Sequence, residues 1–219
     1  DGIEIQFPYN FPVKDLNTAK SDNGLEISVL NIDAGDLTEG GPGIASLPER
    51  EEQFKRAVEQ AVEYASILQP TGMNILSGFP SMELYNRQQC LNTLGNNLRY
   101  AGDALAQVGV KVFIEAVNTL DRPGFLISNS SEAIEVLNLA NHKNLFLQYD
   151  LYHMQIMEGN LVGRMEQIID RIGHIQFADN PGRNEPGTGE INFDFVFKRL
   201  DNLGWNGWLG AEHIPSRKT

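Results

Sequence analysis

The sequence predicts a parallel (β/α)8 barrel, and three observations carry that prediction. Short apolar runs alternate with longer helical ones, no hairpin turn joins two strands, and the later strands each bear a polar side chain near the C-terminal end. An open doubly wound sheet shares the rhythm, but its strand centres are apolar on both faces and its chemistry gathers at one switch point. Polar groups at several strand ends favour the barrel, whose active sites sit at that end.

Seven strand-like runs are visible, at residues 3–7, 25–31, 73–78, 111–118, 145–150, 173–178 and 208–212, all rich in Ile, Val, Leu and Phe. Between the second and third, residues 49–68 place Phe54, Ala57, Val58, Ala61, Val62, Ala65 and Leu68 at the spacing of one buried helical face. Leu91, Leu94, Leu98, Ala101, Leu105 and Val108 mark the next helix. Ser130 or Ser131 offers a hydroxyl cap for a helix ending near Ala140, and residues 161–172 and 193–203 complete the set.

The composition suits one compact domain over residues 1–219, with 41% apolar and 21% charged residues. Against 29 Asp and Glu stand 17 Lys and Arg, and a formal charge of −12 repels nucleic acid and anionic lipid. The lone Cys90 excludes an internal disulfide and a cysteine-based zinc site, which makes a reducing cytoplasm the simplest compartment. No apolar stretch approaches the ~20 residues that cross a bilayer, so no membrane partner is expected.

Side chains two apart on a strand share a face, which allows a test for convergence. Glu115 shares a face with Phe113, Asp150 with Gln148, Gln176 with His174, and Glu212 with Gly210. Four consecutive strands therefore deliver Glu115, Asp150, Gln176 and Glu212 to one interior end. Any one alone reads as an ordinary strand-end polar residue, whereas four in register read as a site. Burying three carboxylates together costs several kcal/mol each unless a cation offsets it. This all-oxygen set suits Mg²⁺ or Mn²⁺ better than Zn²⁺.

His153 lies three residues past Asp150, close enough to lean over that end; alone, such a spacing more often marks a surface or capping histidine. Asp179 points to the opposite face and reads as structural support. The Gly- and Pro-rich segment 180–190 reads equally as a lid or as a plain connector, and Arg183 is its one cation. Its Gly187-Thr188-Gly189 lacks the strand and third glycine of a dinucleotide fingerprint.

These segments resemble the hydroxypyruvate isomerases, members of the xylose-isomerase-like TIM barrels. The likeness is carried by Phe113-Ile114-Glu115, by Gln148-Tyr149-Asp150-Leu151-Tyr152-His153-Met154-Gln155, by Gly173-His174-Ile175-Gln176 and by residues 180–197 with their Glu185-Pro186-Gly187-Thr188-Gly189-Glu190 core. Asn31 with Ala34-Gly35-Asp36 is an earlier match. The resemblance implies a divalent-metal isomerase interconverting hydroxypyruvate and tartronate semialdehyde through an enediolate. It implies metal ligation by Glu115, Asp150, Gln176 and Glu212, proton transfer by Glu115 and Glu212, and substrate contacts by His153 and Asp121. Gln176 stands where related sugar epimerases usually carry His.

The chain departs from the family in places. Glu115 is followed by Ala116 rather than Pro, Leu30 stands where some members have His, and the loop Glu39-Gly40-Gly41-Pro42-Gly43 lacks the Arg many members carry. Arg50 and Arg183 remain as cations for an anionic 2-oxo or hydroxy acid. The family also begins with one further βα unit of roughly 30 residues, so the barrel is expected to be incomplete at its N-terminus, with its first unit absent. A 2-oxo-tetronate isomerase and a ketose 3-epimerase are the nearest alternatives. A DNA-repair endonuclease of the same barrel is remote, because it calls for a basic face and a histidine-rich zinc site. A homo-oligomer is left open, since no apolar stripe announces an interface.

Overall fold

The computed structural model describes residues 1–216 and holds one sheet of seven parallel strands in chain order. These are β1 (Gly2–Ile5), β2 (Glu26–Asn31), β3 (Gly72–Ile75), β4 (Lys111–Glu115), β5 (Leu145–Asp150), β6 (Ile172–Phe177) and β7 (Leu209–Ala211). The helices are α1 (Val13–Asp22), α2 (Glu51–Leu68), α3 (Arg87–Ala106), α4 (Ser130–Ala140), α5 (Leu151–Met157), α6 (Leu161–Ile168) and α7 (Phe193–Asn202). Among the described residues no helix is long and apolar enough to cross a membrane.

All seven expected strands form. Runs 73–78 and 111–118 stop earlier, at Ile75 and Glu115, which releases the segments after them as loops. The 49–68 helix buries its expected stripe, with Tyr64 taking the place of the half-buried Val62. The cap of α4 is corrected to Asn129, whose side chain accepts the Glu132 N–H at 3.0 Å. The 161–172 segment divides, because α6 ends at Ile168, a single tight turn follows, and Ile172 already belongs to β6.

Two helices escaped the sequence reading. In α1 only Val13 is buried, so no apolar stripe exists to be seen. In α5 the helix starts directly from a strand, because the Asp150 side chain accepts the Tyr152 N–H at 2.8 Å and caps it.

The strand faces turned outward pack on the helices in a continuous core that includes Leu30, Met73, Ile114, Leu147 and Ile175 with Val58, Leu68, Leu94 and Leu98. β1 and β7 are the edges of the sheet and share no backbone ladder. The sheet nevertheless curls into a nearly closed barrel. Glu4 of β1 reaches across to His174 Nε2 at 2.5 Å and accepts from Gln176 Nε2 at 2.8 Å, both on β6. Trp208 packs on Gly2, where an added Cβ would lie 2.9 Å from the ring, and its indole donates to Thr71 Oγ1 at 3.1 Å.

Below the polar layer, Phe113 fills the interior between two glycines. A Cβ on Gly72 would stand 2.2 Å from its ring and one on Gly173 2.5 Å, while His174 stacks on it at 5.9 Å. Large residues fit a tapering interior only where neighbours are small. Gly72→Ala should therefore cost about 1–3 kcal/mol by overpacking, read as a lower urea midpoint. Adding Phe113→Leu should recover most of that loss, and an unchanged midpoint in the single variant would contradict this packing.

Candidate active site

A belt of buried polar side chains crosses the barrel at the C-terminal end of the strands. Glu115, the last residue of β4, accepts from Asn74 Nδ2 at 2.8 Å and Gln148 Nε2 at 3.0 Å on its Oε2. Gln148 also donates to Gln176 Oε1 at 2.6 Å, and Asn74 to Asn31 Oδ1 at 3.2 Å. Gln176 then meets Glu4, which meets His174. Strands β1 to β6 thus each contribute one member or more.

Above the belt lie the charged groups. Glu115, Asp150 and His153 each place a ligand-type atom within 4.8 Å of the others, and all three are buried. His153 Nε2 stands 3.6 Å from Asp150 Oδ2 and 3.8 Å from Glu115 Oε1. Its Nδ1 faces the Asn118 side-chain amide at 2.7 Å and the Asn118 N–H at 3.4 Å, both donors, so the ring proton belongs on Nε2, toward the carboxylates. Asn118 Nδ2 and the Tyr152 hydroxyl also donate to Asp121, at 3.0 and 2.7 Å.

Arg183 is the cation set among these acids. It donates to Glu212 at 2.8 Å, stands 3.8 Å from Asp150 and lies over the Tyr152 ring at 5.4 Å. Glu212 also accepts from Gln6. The 180–190 loop is built to hold Arg183 there, because the fully buried Asp179 accepts the backbone N–H of Asn180, Gly187, Gly189 and Ile191 at 2.8–3.1 Å. This is the structural support expected of Asp179.

The environments drive the carboxyls apart. Burial, followed by the Glu212 and Asp150 charges, holds Glu115 well above the ordinary carboxylate range. Burial also raises Glu212, with Arg183 opposing and Asp150 and Glu4 reinforcing. Burial lowers His153 toward its neutral form, against the Asp150 charge. At Asp121 burial is outweighed by hydrogen bonds from Asn118 and Tyr152, so its carboxyl lies below the usual range. Burial, and then the hydrogen bond to Asp121, push the Tyr152 hydroxyl up to about 12.

The donor set fits a divalent cation. Asp150 Oδ2 is buried without a hydrogen-bond partner, beside Glu115 and among oxygen donors of the kind Mg²⁺ and Mn²⁺ prefer. Of the four residues expected to ligate, the structure brings Glu115 and Asp150 together. Gln176 sits in the belt beside them, its amide shared by Gln148 and Glu4, and Glu212 is turned to Arg183 and Gln6.

A cavity of about 170 Å³ opens over this end, more than ten times the ~10–15 Å³ that one water needs. Glu115, Gln176, Glu212, His153, Asp121 and Arg183 line it. Arg50 does not; Asp36 at 2.9 Å and the Gly43 carbonyl at 3.2 Å hold it in the loop after β2. The sequence reading missed Glu4, Gln6, Asn74 and Asn118, along with Arg122 at the cavity edge. The first two carried a usable signal, since Glu4 and Gln6 alternate with Ile3, Ile5 and Phe7.

Carboxylates gathered at the C-terminal end of a parallel barrel stand where barrel enzymes carry their active sites. Residues 1–219 match the model of the xylose isomerase-like TIM barrels, and the chain belongs to that family. It is 42% identical over 218 residues to the hydroxypyruvate isomerase of Escherichia coli (strain K12), covering all of this chain and 84% of that protein. It is 37% identical to a 2-oxo-tetronate isomerase of Pectobacterium atrosepticum, covering 99% of this chain and 82% of the relative. A crystal structure described as an AP endonuclease, family 2, from Brucella melitensis superposes with a TM-score of 0.95 at 35% identity, over 100% of this chain and 84% of that one. By this kinship the protein is an isomerase.

A carboxyl whose folded proton affinity is raised binds more protons folded than unfolded, so stability falls as pH rises through that interval. Without divalent metal, the protein should become progressively less stable as pH rises above the ordinary carboxylate range, through Glu115. Glu115→Gln should flatten that slope in chemical denaturation at each pH. An equal slope in both proteins would refute the burden placed on Glu115.

Proposed function

We propose that the enzyme interconverts hydroxypyruvate and tartronate semialdehyde with the help of Mg²⁺ or Mn²⁺, moving a carbonyl between adjacent carbons through an enediolate. One observation carries the reading: two carboxyls of raised proton affinity, the buried Glu115 and the half-buried Glu212, line a small cavity. Such a shift requires one group to take a proton from carbon and another to return one to its neighbour. A proton affinity near the working pH suits a carboxyl to both tasks.

Glu115, Asp150, Gln176 and Glu212 would hold the cation. Bound there, it would stabilise negative charge on the substrate oxygens and acidify the adjacent C–H. His153 presents Nε2–H rather than a lone pair, which suits donation to a substrate oxygen better than ligation. Asp121, ionised and held by Asn118 and Tyr152, would accept a hydrogen bond from a substrate hydroxyl.

The 2-oxo-tetronate relatives favour a second reading, the same chemistry on a four-carbon acid. The endonuclease description of the Brucella protein finds no support in this chain, whose charge of −12 opposes binding to a phosphate backbone.

Proton NMR of hydroxypyruvate in D₂O with Mg²⁺- or Mn²⁺-loaded protein should show tartronate semialdehyde, with no product after metal removal. Product in the stripped enzyme would refute the metal requirement. No product with either metal, but turnover of 2-oxo-tetronate, would favour the second reading. Glu115→Gln and Glu212→Gln should each lower kcat by about 10²–10⁴-fold, and activity retained in both would exclude the assigned pair.

A further inference from the structure

The cavity lining mixes two kinds of residue, the apolar Phe7, Leu37, Leu76, Phe79 and Phe125 and the acids of the belt and its surroundings. An anionic substrate entering there meets Glu4, Glu115, Asp121 and Glu212, so its carboxylate needs a cation not already engaged by these acids. Arg183 is engaged, standing 2.8 Å from Glu212 and 3.8 Å from Asp150.

Arg122 is the other arginine lining the cavity. Among the described residues its guanidinium makes no ion pair and no hydrogen bond, even with its neighbour Asp121, whose Oδ2 accepts from Asn118 and Tyr152. Its backbone, in contrast, is fixed. The Arg122 N–H donates to the Asn118 carbonyl at 3.2 Å, the Phe125 N–H to the Arg122 carbonyl at 3.2 Å, and the Asp121 N–H to Asn118 Oδ1 at 2.8 Å. A rigid turn thus presents an uncommitted, planar cation at the edge of an acidic cavity. Guanidinium binds carboxylate through two parallel hydrogen bonds, with more specificity than an ammonium.

We propose that Arg122 binds the carboxylate of the substrate and thereby selects short 2-oxo acids over uncharged ketoses. This deepens the isomerase reading and rests on it for the reaction, while binding can be tested apart from turnover. Arg122 is exposed, so its replacement does not disturb the core.

The test uses the Mg²⁺-loaded protein and its Arg122→Met and Arg122→Lys variants. Kinetics on hydroxypyruvate are joined by an NMR titration of the same compound, which reads binding whether or not it reacts. Arg122→Met should raise KM and the dissociation constant about tenfold or more, with kcat changed little, and Arg122→Lys should fall between. Inhibition by dihydroxyacetone, where CH₂OH replaces the carboxylate, should be the same in all three.

Unchanged KM and affinity in Arg122→Met, with the parent enzyme active, would overturn the role of Arg122 and leave the isomerase standing. An equal loss of affinity for dihydroxyacetone would also overturn it, by showing that the loss is not specific to the carboxylate. Binding that depends on Arg122 without turnover would support the role and overturn the hydroxypyruvate reaction. No binding by the parent protein would overturn both.

Discussion

The structure depends on keeping three carboxyls at one end of a parallel barrel, Glu115 and Asp150 buried and Glu212 half-buried. Nothing in an apolar interior would hold like charges so close. Amides from neighbouring strands make it feasible, with Asn74 and Gln148 donating to Glu115, and Gln176 tying Gln148 to Glu4. Asn74 and Gln148 spend their N–H groups on Glu115 and on a neighbouring amide, Gln176 accepts from Gln148 and donates to Glu4, and the carbonyl oxygens Asn74 Oδ1 and Gln148 Oε1 are left without a partner. Parallel order is what permits this, because in-register strands set Glu115 beside Gln148 and Asp150 beside Gln176.

The loops complete what the strands begin. Asp179, buried and turned away from the cavity, organises the 180–190 loop through four backbone donors, and the loop in turn sets Arg183 against Glu212 and Asp150. Asn118 does the same for the neighbouring groups. Its one side chain orients His153 and Asp121 together and also shapes the turn that carries Arg122. Positions that touch no reacting atom therefore decide where the charged groups stand.

The sequence made the barrel legible because outward strand faces and helix stripes are apolar at fixed periods, as in Phe54, Ala57, Val58 and Ala61 of α2. It exposed the acids because a carboxyl ending an apolar strand is costly and so conspicuous. It hid the belt for the opposite reason. Asn74 between Met73 and Ile75 is a small polar residue in a short run, and its partner Glu115 lies 41 positions away. α1 was invisible since it buries almost nothing, and α5 since its cap is the last residue of a strand. The arginines show the same limit. Arg50 and Arg183 look alike in sequence, but the ion pair with Asp36 holds Arg50 away from the cavity, and only folding reveals that Arg122 lines it unpaired.

A single set of acids can do different work at one pH only if their surroundings differ. Glu115 is buried with the Glu212 and Asp150 charges facing it, and burial first and then these charges hold its carboxyl well above the ordinary range. Glu212 is raised by burial but has Arg183 beside it, so it yields its proton more readily than burial alone would allow. Asp121, stripped of its proton by Asn118 and Tyr152, is a standing acceptor. Proton affinity is raised at Glu115 and Glu212 and lowered at Asp121 around one small cavity, and the Arg183 charge favours the ionised form of all three. A barrel whose strand ends carried the same carboxyls without that asymmetric cation would leave them competing for one proton, with no division between donor and acceptor.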